Sequence, residues 1–404
     1  MTNPAMGTPP THEVLIREAT RLDTVDPLAH CRARFMLPEG MIYLDGNSLG
    51  AYPTSVGVRL DDVLNRQWSQ RLIRSWDEGW WETPERVGER IAPLLGAAPG
   101  QVVVGDSTSV NIFKQVIAGA RMRPERTRIV VDATSFPTDS YIADSAAELL
   151  GLDVTRAQPS ALDDVLDEDV ALVLLNHVDF QTGQLHDMAT MTTKIHDCGA
   201  LAFWDVCHSV GVFPLKFDTL GVELAVGCTY KYLNGGPGAP AFLYVRQDLQ
   251  AEFHQPLTGW HGHIAPFGME PDYVPANGIM RGRVGSPPLI SMLALDAALD
   301  AYDGVSLSDA RAKTESVTAI FIDAIDALVP AGKVQIATPR ESASRAGQVS
   351  VAHPRARELV NALMGLGVIA DFREPNILRH GFSPLYIGHL DAVRAAEALA
   401  SLLR

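Results

Sequence analysis

The stretch Leu201-Ala202-Phe203-Trp204-Asp205-Val206-Cys207-His208 decides the fold. Its first residues are apolar without a polar alternation, the pattern of a strand buried on both faces. The run then exits on an acid and a histidine. In an open α/β sheet that exit is where ligands bind, so Asp205 reads as a site residue. Runs of the same texture stand at 102–104, 129–131, 171–175, 224–228 and 241–245. Helical patterns at 109–120, 139–150 and 188–198 separate them. Strands alternating with helices predict an α/β architecture: a mostly parallel sheet covered on both faces.

The texture changes after Pro287-Pro288. A helical stretch at 289–302 leads into a strand at 348–351, a helix at 355–366 and a strand at 368–372. Leu390, Val393, Leu399 and Leu402 then mark one face of a terminal amphipathic helix. Three segments are expected: 1–50 packing on the small domain, a large domain at 51–288, and a smaller α+β domain at 289–404.

At 404 residues the chain has room for two or three cores. With 48 acidic and 33 basic residues the formal charge is −15, which argues against nucleic acid and anionic membrane surfaces as partners. It leaves room for one local cationic pocket. The four cysteines form no C-x-x-C pair and read as reduced thiols. The Pro/Thr/Gly-rich stretch 1–12 shows no secretory pattern, and no run is long enough for a membrane span. The expectation is a cytoplasmic protein.

Three short patterns mislead. Gly46-Asn47-Ser48-Leu49-Gly50 matches G-x-S-x-G, but it precedes the alternating region and Pro53 follows closely, so a nucleophile elbow is a poor fit. His261-Gly262-His263 lacks a third ligand at a recognisable spacing, and no metal is expected. No G-x-G-x-x-G follows a strand.

The informative pieces lie at strand ends. Thr229-Tyr230-Lys231-Tyr232 follows the apolar run at 224–228, and Asn234-Gly235-Gly236-Pro237-Gly238 then makes a sharp turn. A lysine in such a place forms a Schiff base when its surroundings lower its pKa. An aspartate facing it, Asp205, would hold a pyridinium nitrogen protonated and make the ring an electron sink. Asp106-Ser107-Thr108-Ser109-Val110-Asn111 opens a helix and offers an anion pocket, although a plain Ser/Thr cap explains that segment equally well. Phe136-Pro137-Thr138-Asp139 adds an aromatic face and an acid. Together these point to pyridoxal 5′-phosphate.

With these motifs on view, the chain resembles the kynureninase family of fold-type I pyridoxal-phosphate enzymes. The resemblance runs from Tyr43-Leu44-Asp45-Gly46-Asn47-Ser48-Leu49-Gly50 through Trp204-Asp205-Val206-Cys207-His208 and the 227–238 segment. It ends at Phe372-Arg373-Glu374-Pro375 and Gly381-Phe382-Ser383-Pro384-Leu385-Tyr386. It implies a large domain with a mostly parallel seven-stranded sheet and a smaller α+β C-terminal domain. It also implies a homodimer with a shared active site, which hydrolyses L-kynurenine to anthranilate and L-alanine in tryptophan catabolism. By position, Lys231 is implied as the Schiff-base lysine, Asp205 as the pyridine partner and Phe136 as the stacking residue. Thr108, Ser109, His208, Tyr230, Trp260 and Ser286 would hold the phosphate or ring substituents, with Asp139 and Asn176 lining the pocket. Arg379 is implied for the substrate carboxylate with Arg373 second, and Asn47 and Ser48 beside them. Trp76 from the other subunit and the Gly285-Ser286 pair resemble the bacterial pattern, which favours kynurenine over its 3-hydroxy form. Tyr230 is either a proton mediator or a phosphate anchor. A cysteine desulfurase, a class V aminotransferase and a catalytically silent ligand-binding relative are the competing readings.

Overall fold

Seven runs of β-branched and aliphatic residues pair into one sheet in the computed structural model, which describes residues 10–404. They are β1 (Val102–Val104), β2 (Arg128–Asp132), β3 (Asp153–Ala157), β4 (Val170–Asn176), β5 (Leu201–Asp205), β6 (Leu224–Gly227) and β7 (Phe242–Val245). Their spatial order is β1-β7-β6-β5-β4-β2-β3. Only β7 runs antiparallel to its neighbours; the other pairings are parallel. Every position of β4 and β5 is buried because both faces are covered. Leu172, Leu174, Leu201 and Phe203 face one layer with α1 (Thr108–Arg121) and α2 (Pro137–Leu150). Val173, Leu175, Ala202 and Trp204 face the other, with Ile195 of α3 (Met188–Asp197) and Met292 and Leu295 of α4 (Leu289–Ala298). This is the period-two alternation of a pleated strand applied to a two-sided core.

The six expected strands of this sheet are present, and the seventh, β3, is the one the apolar pattern does not reveal. It is an edge strand, Asp-Val-Thr-Arg-Ala, with only its last residue buried, so no apolar run marks it.

A second, four-stranded sheet joins β8 (Gln335–Ile336), β9 (Gln348–Ala352), β10 (Asp371–Arg373) and β11 (Ile377–Gly381) in the order β8-β9-β11-β10, all antiparallel. Helices α5 (Leu307–Leu328), α6 (Ala356–Gly365) and α7 (His389–Leu403) cover it. The single strand expected at 368–372 is instead two. Val368–Ile369 pairs in parallel with Ile42–Tyr43, and Asp371–Arg373 pairs with β11. The chain changes partner at Ala370, because the N-terminal segment takes up the first half.

The N-terminal helix His12–Thr24 packs Leu15 and Ala19 into the core beneath the second sheet. Of the segment expected at 1–50, residues 1–9 lie outside the described residues. Just after the boundary expected at 288, Met292, Leu295 and Leu299 pack beneath the large sheet, and Ala301 is the next residue along the chain to join the second core.

The carboxyl ends of β1, β2, β4, β5 and β6 all open on one edge. That edge collects Asp106, Phe136, Asn176, Asp205 and Lys231.

Candidate active site

Lys231 sits in a loop that the sequence forces into a tight path. Beyond β6 the chain turns through Asn234, whose φ of 58° is left-handed. The N-terminal motif docks on this loop: the Gly50 N–H donates to the Tyr230 carbonyl at 2.7 Å. A Cβ at Gly50 would stand 2.2 Å from the Lys231 carbonyl oxygen, so only glycine allows the approach.

Around the Lys231 side chain the expected partners assemble. Its Nζ lies 3.1 Å from Nε2 of His208. Asp205 is buried at the end of β5, and its Oδ1 accepts the Cys207 N–H at 2.7 Å. Asp139, from the first turn of α2, accepts the Asn176 amide at 2.9 Å. Burial, then the neighbouring Asp205, push the Asp139 carboxyl well above the usual carboxylate range. Burial also raises Asp205. His208 is driven well below its ordinary value, first by burial and then by the Lys231 charge, so its imidazole is neutral and able to accept.

The anion end lies at the N-terminus of α1. Ser107 caps the helix, accepting the Val110 N–H at 3.3 Å, and Thr108 and Ser109 form its first turn. Thr108 Oγ1 stands 3.9 Å from Cys207 Sγ, which sets this helix end over the exit of β5. Tyr230 lines one cavity with Asp106, Ser107 and the 237–240 turn. Burial, then Cys228 and Cys207, raise the Tyr230 phenol, so it keeps its proton at neutral pH.

A third group is carried by the small sheet. Arg379 on β11 is 1 % exposed. Its Nε donates to Asp371 Oδ1 at 2.8 Å, its Nη1 to the Phe180 carbonyl at 2.9 Å and its Nη2 to Ser48 Oγ at 2.8 Å. Arg373 reaches the same Asp371 at 2.8 Å, with 34 % of its side chain exposed. Ser48 donates to Asp371 Oδ2 at 2.6 Å and touches no histidine among the described residues, so the G-x-S-x-G match is a turn holding two arginines. Asn47 is buried and donates to Gln348 Oε1 at 2.9 Å, while its backbone meets the His208 ring. Phe136 stands 5.3 Å edge-on to Phe180, whose carbonyl holds Arg379, so the large-sheet edge and the arginines share a wall.

Trp260, Trp76, Gly285 and Ser286 belong to a different wall. Trp260 packs on Trp81 at 5.7 Å, and Trp81 packs on Trp76 at 6.4 Å. Gly285 and Ser286 line a small cavity with Asp106 and Lys114. None of the four has a described polar contact with Lys231. His261 stands edge-on to Trp81 at 4.6 Å and His263 contacts the Asp272 carbonyl at 3.2 Å, so the two histidines serve the loop's own packing.

Four residues of structural weight carry no role in the sequence reading. Asp371 ties both arginines, and it lies directly opposite Arg379 in the β10–β11 register. That cross-strand pairing was its only signal. Lys114 is buried in α1 and donates to Asp106 Oδ2 and to the Gly282 carbonyl, both at 2.8 Å, pinning the loop before the anion end. Cys207 and Cys228 join two strand exits, the Cys228 N–H donating to Cys207 Sγ at 3.0 Å.

This geometry meets its relatives in sequence. The chain is 43% identical over 390 residues to a kynureninase of Pseudomonas fluorescens, covering 95% of this chain and 94% of that one. It is 42% identical to a kynureninase of Burkholderia pseudomallei (strain 1106a), covering 96% and 95%. The chain belongs to the kynureninase family. The model of the kynureninase C-terminal domain matches residues 310–399, which include the arginine-bearing β10 and β11. Among solved structures, the family fold is shared with a cysteine desulfurase of Thermococcus onnurineus NA1. The TM-score is 0.79 and the identity 18%, over 93% of this chain and 98% of that one. It is shared also with C-DES, solved as a mutant with glycine covalently linked to its PLP cofactor. There the TM-score is 0.76 and the identity 17%, over 91% and 99%.

Proposed function

We propose that this chain is a pyridoxal-phosphate-dependent hydrolase that cleaves the Cβ–Cγ bond of L-kynurenine, giving anthranilate and L-alanine. One observation carries the reading: Lys231, His208 and Asp205 converge at the ends of β5 and β6, with a capped helix N-terminus on one side and a buried arginine on the other.

The residues fit the cofactor chemically. Asp205 commits Oδ1 to the chain, and its Oδ2 has no partner among the described residues, as a pyridine-nitrogen acceptor requires. Lys231 supplies the primary amine for the covalent link. The free N–H groups of the first turn of α1, with Thr108, Ser109 and Tyr230, suit a phosphate. Phe136 would stack on the ring, with His208, Asp139 and Asn176 available to its substituents. Trp260 and Ser286 complete the phosphate and ring contacts in this reading. When bound, the cofactor supplies an electron sink conjugated to the substrate's Cα.

The chain's own residues then handle protons and position. Lys231, released from its covalent link, takes the Cα proton with Nζ. Neutral His208 accepts from that amine and keeps it placed. Arg379, with Arg373 beside it, binds the α-carboxylate through a planar guanidinium suited to two oxygens. Tyr230, whose phenol retains its proton, donates it to Cβ as the β–γ bond breaks, and the water that gives its hydroxyl to the acyl carbon returns a proton to the phenol.

The subunit arrangement in this reading is a homodimer with a shared active site, Trp76 and Ser286 reaching across. Exposed Val58, Trp68, Leu72 and Ile73 support an apolar interface in that stretch. In this reading a large cofactor domain is followed by a small C-terminal one, and the packing of Leu299 in the first core and Ala301 in the second supports a boundary near residue 300 rather than 288. Trp76, Gly285 and Ser286, on the same reading, form the aryl-ring wall that favours unsubstituted kynurenine. The setting is cytoplasmic tryptophan catabolism; no helix among the described residues is long and apolar enough to cross a membrane.

The test is direct. Cofactor-loaded protein incubated with L-kynurenine is expected to release fluorescent anthranilate, faster than it releases 3-hydroxyanthranilate from the 3-hydroxy substrate. Cofactor-replete protein that yields neither product would sink the reading.

A further inference from the structure

Asp45 opens the turn that carries Ser48, and the reaction described above gives it no task. Its backbone bridges to Gly381 at the end of β11. Its Oδ1 is sealed from solvent and has no hydrogen-bond partner among the described residues. Its carboxyl lies against that of Asp371 and beside the Ser48 hydroxyl. The charged and titratable groups facing it are Asp371 and Arg373 on β10, Arg379 on β11, Tyr43 on the short N-terminal strand and Tyr232 beyond Lys231. His208 stands behind Asn47, facing the same two arginines.

Two carboxyls in contact do not both ionise freely. Burial pushes Asp371 up, but the hydrogen bonds from Arg379 and Ser48 outweigh it and hold its carboxyl below the usual range. Asp371 is therefore the ionised member. Burial, then the Asp371 charge, push Asp45 up to about 6. With both acids ionised, the two arginines are neutralised and the group offers an arriving anion no net charge. With Asp45 protonated the group carries one positive charge, which a single carboxylate balances.

We propose that Asp45 is the proton acceptor of the carboxylate receptor: when an α-carboxylate docks on Arg379 and Arg373, Asp45 takes one proton from solvent. The inference rests on the reading that the substrate is an amino acid bound at these arginines. Asp45 is a positioning residue, because it sets the receptor's charge through Asp371 without touching the substrate.

The sign follows from linkage. A bound carboxylate adds negative charge near Asp45 and raises its affinity for a proton further. Above pH 6 the free protein has Asp45 ionised. Binding must then bring a proton with it, and affinity falls by up to about tenfold per pH unit. The dependence levels off once the pH passes the raised value in the complex. Below about pH 6 this group's contribution fades as the free carboxyl is already protonated.

The probe is 4-oxo-4-phenylbutanoate, an aryl ketone with a carboxylate and no amine, so it forms no bond to the cofactor and brings no ammonium of its own. Calorimetry of its binding to the holoenzyme, in two buffers of different ionisation enthalpy between pH 6 and 8, counts protons. The wild-type protein is expected to take up a growing fraction of one proton, with a dissociation constant that rises with pH. Asp45→Asn presents a permanently protonated analogue, so its binding should be flat with pH and take up none. Asp371→Asn removes the like charge and leaves the burial, so its uptake should shrink and shift to lower pH, and it serves if the first variant does not fold. No uptake by the wild type, undiminished uptake in the foldable variant, or failure of the probe to bind overturns the inference. Kynurenine cleavage without proton uptake would sink this inference alone. Proton uptake without kynurenine cleavage would sink the assigned reaction and leave the receptor standing.

Discussion

The lysine end and the arginine end of the site are built on opposite principles. At the lysine end, Asp205, Asn176, Phe136 and Lys231 each stand at the end of, or just beyond, their own parallel strand, and the sheet sets their positions, with only single links such as Lys231–His208 and Asn176–Asp139 between neighbours. At the arginine end, Arg379, Arg373, Asp371 and Ser48 are held by one another, in a web of charge-assisted hydrogen bonds between two short strands and an N-terminal turn. A backbone scaffold tolerates the loss of one side chain. A buried ionic web does not tolerate the loss of Arg379 or Asp371, because either deletion leaves a buried charge without its main partner. Substitutions at the lysine end should therefore change chemistry and spare stability, whereas those at the arginine end should change both.

The largest effect should come from Tyr230→Phe. The phenol is part-buried and keeps its proton, so its removal deletes a donor and leaves packing nearly unchanged. Turnover at saturating cofactor is expected to fall by about 10²–10⁴-fold, the usual range for a lost general acid, with the melting temperature within a few degrees of wild type. Loss of cofactor affinity with full turnover would reduce Tyr230 to a phosphate anchor and blur the contrast between the two ends.

Arg379→Ala and Arg373→Ala test the other side. Removing Arg379 strips a buried partner from Asp371, and breaking such a pair costs about 3–5 kcal/mol. Removing the more exposed Arg373 should cost at most about 1 kcal/mol. Both variants should raise KM more than they lower kcat, with Arg379→Ala the worse. Thermal melts and steady-state kinetics on kynurenine check this, and a larger KM increase for Arg373→Ala would exchange the two roles.

The same contrast explains what could be read from the sequence. Asp205 and Lys231 were legible because a continuous apolar run fixes where a buried strand ends, and the polar residue just beyond must lie at the sheet edge. The motif 45–50 was assigned to the arginines only through the family resemblance, because its contacts are with a sheet 320 residues or more downstream in the chain. Asp371 was invisible for a related reason. Its pairing with Arg379 exists only once β10 and β11 are in register, and the strand predicted at 368–372 ran across the point where the chain changes partner. Edge strand β3 escaped because half-exposed strands carry no apolar run. Trp76 and Trp260 were singled out separately, yet Trp81, which joins them, has no sequence signal beyond its type.

On turnover, Gly50→Ala should give the smallest effect and the most informative one, since Gly50 is where the two ends meet. Its N–H holds the Tyr230 carbonyl, and its α-carbon closes on the Lys231 carbonyl, while Ser48 two residues earlier holds the arginines. An added methyl would meet backbone at 2.2 Å and the Asn234 side chain at 2.5 Å, so the turn and the lysine loop must separate. Overpacking of this kind costs about 1–3 kcal/mol. If the ends are mechanically joined here, one methyl should shift the cofactor's absorbance at Lys231 and also raise the substrate KM set by the arginines. A shift in only one of the two signals would mean that the turn yields on that side alone, and that the lysine scaffold and the arginine web act as independent halves.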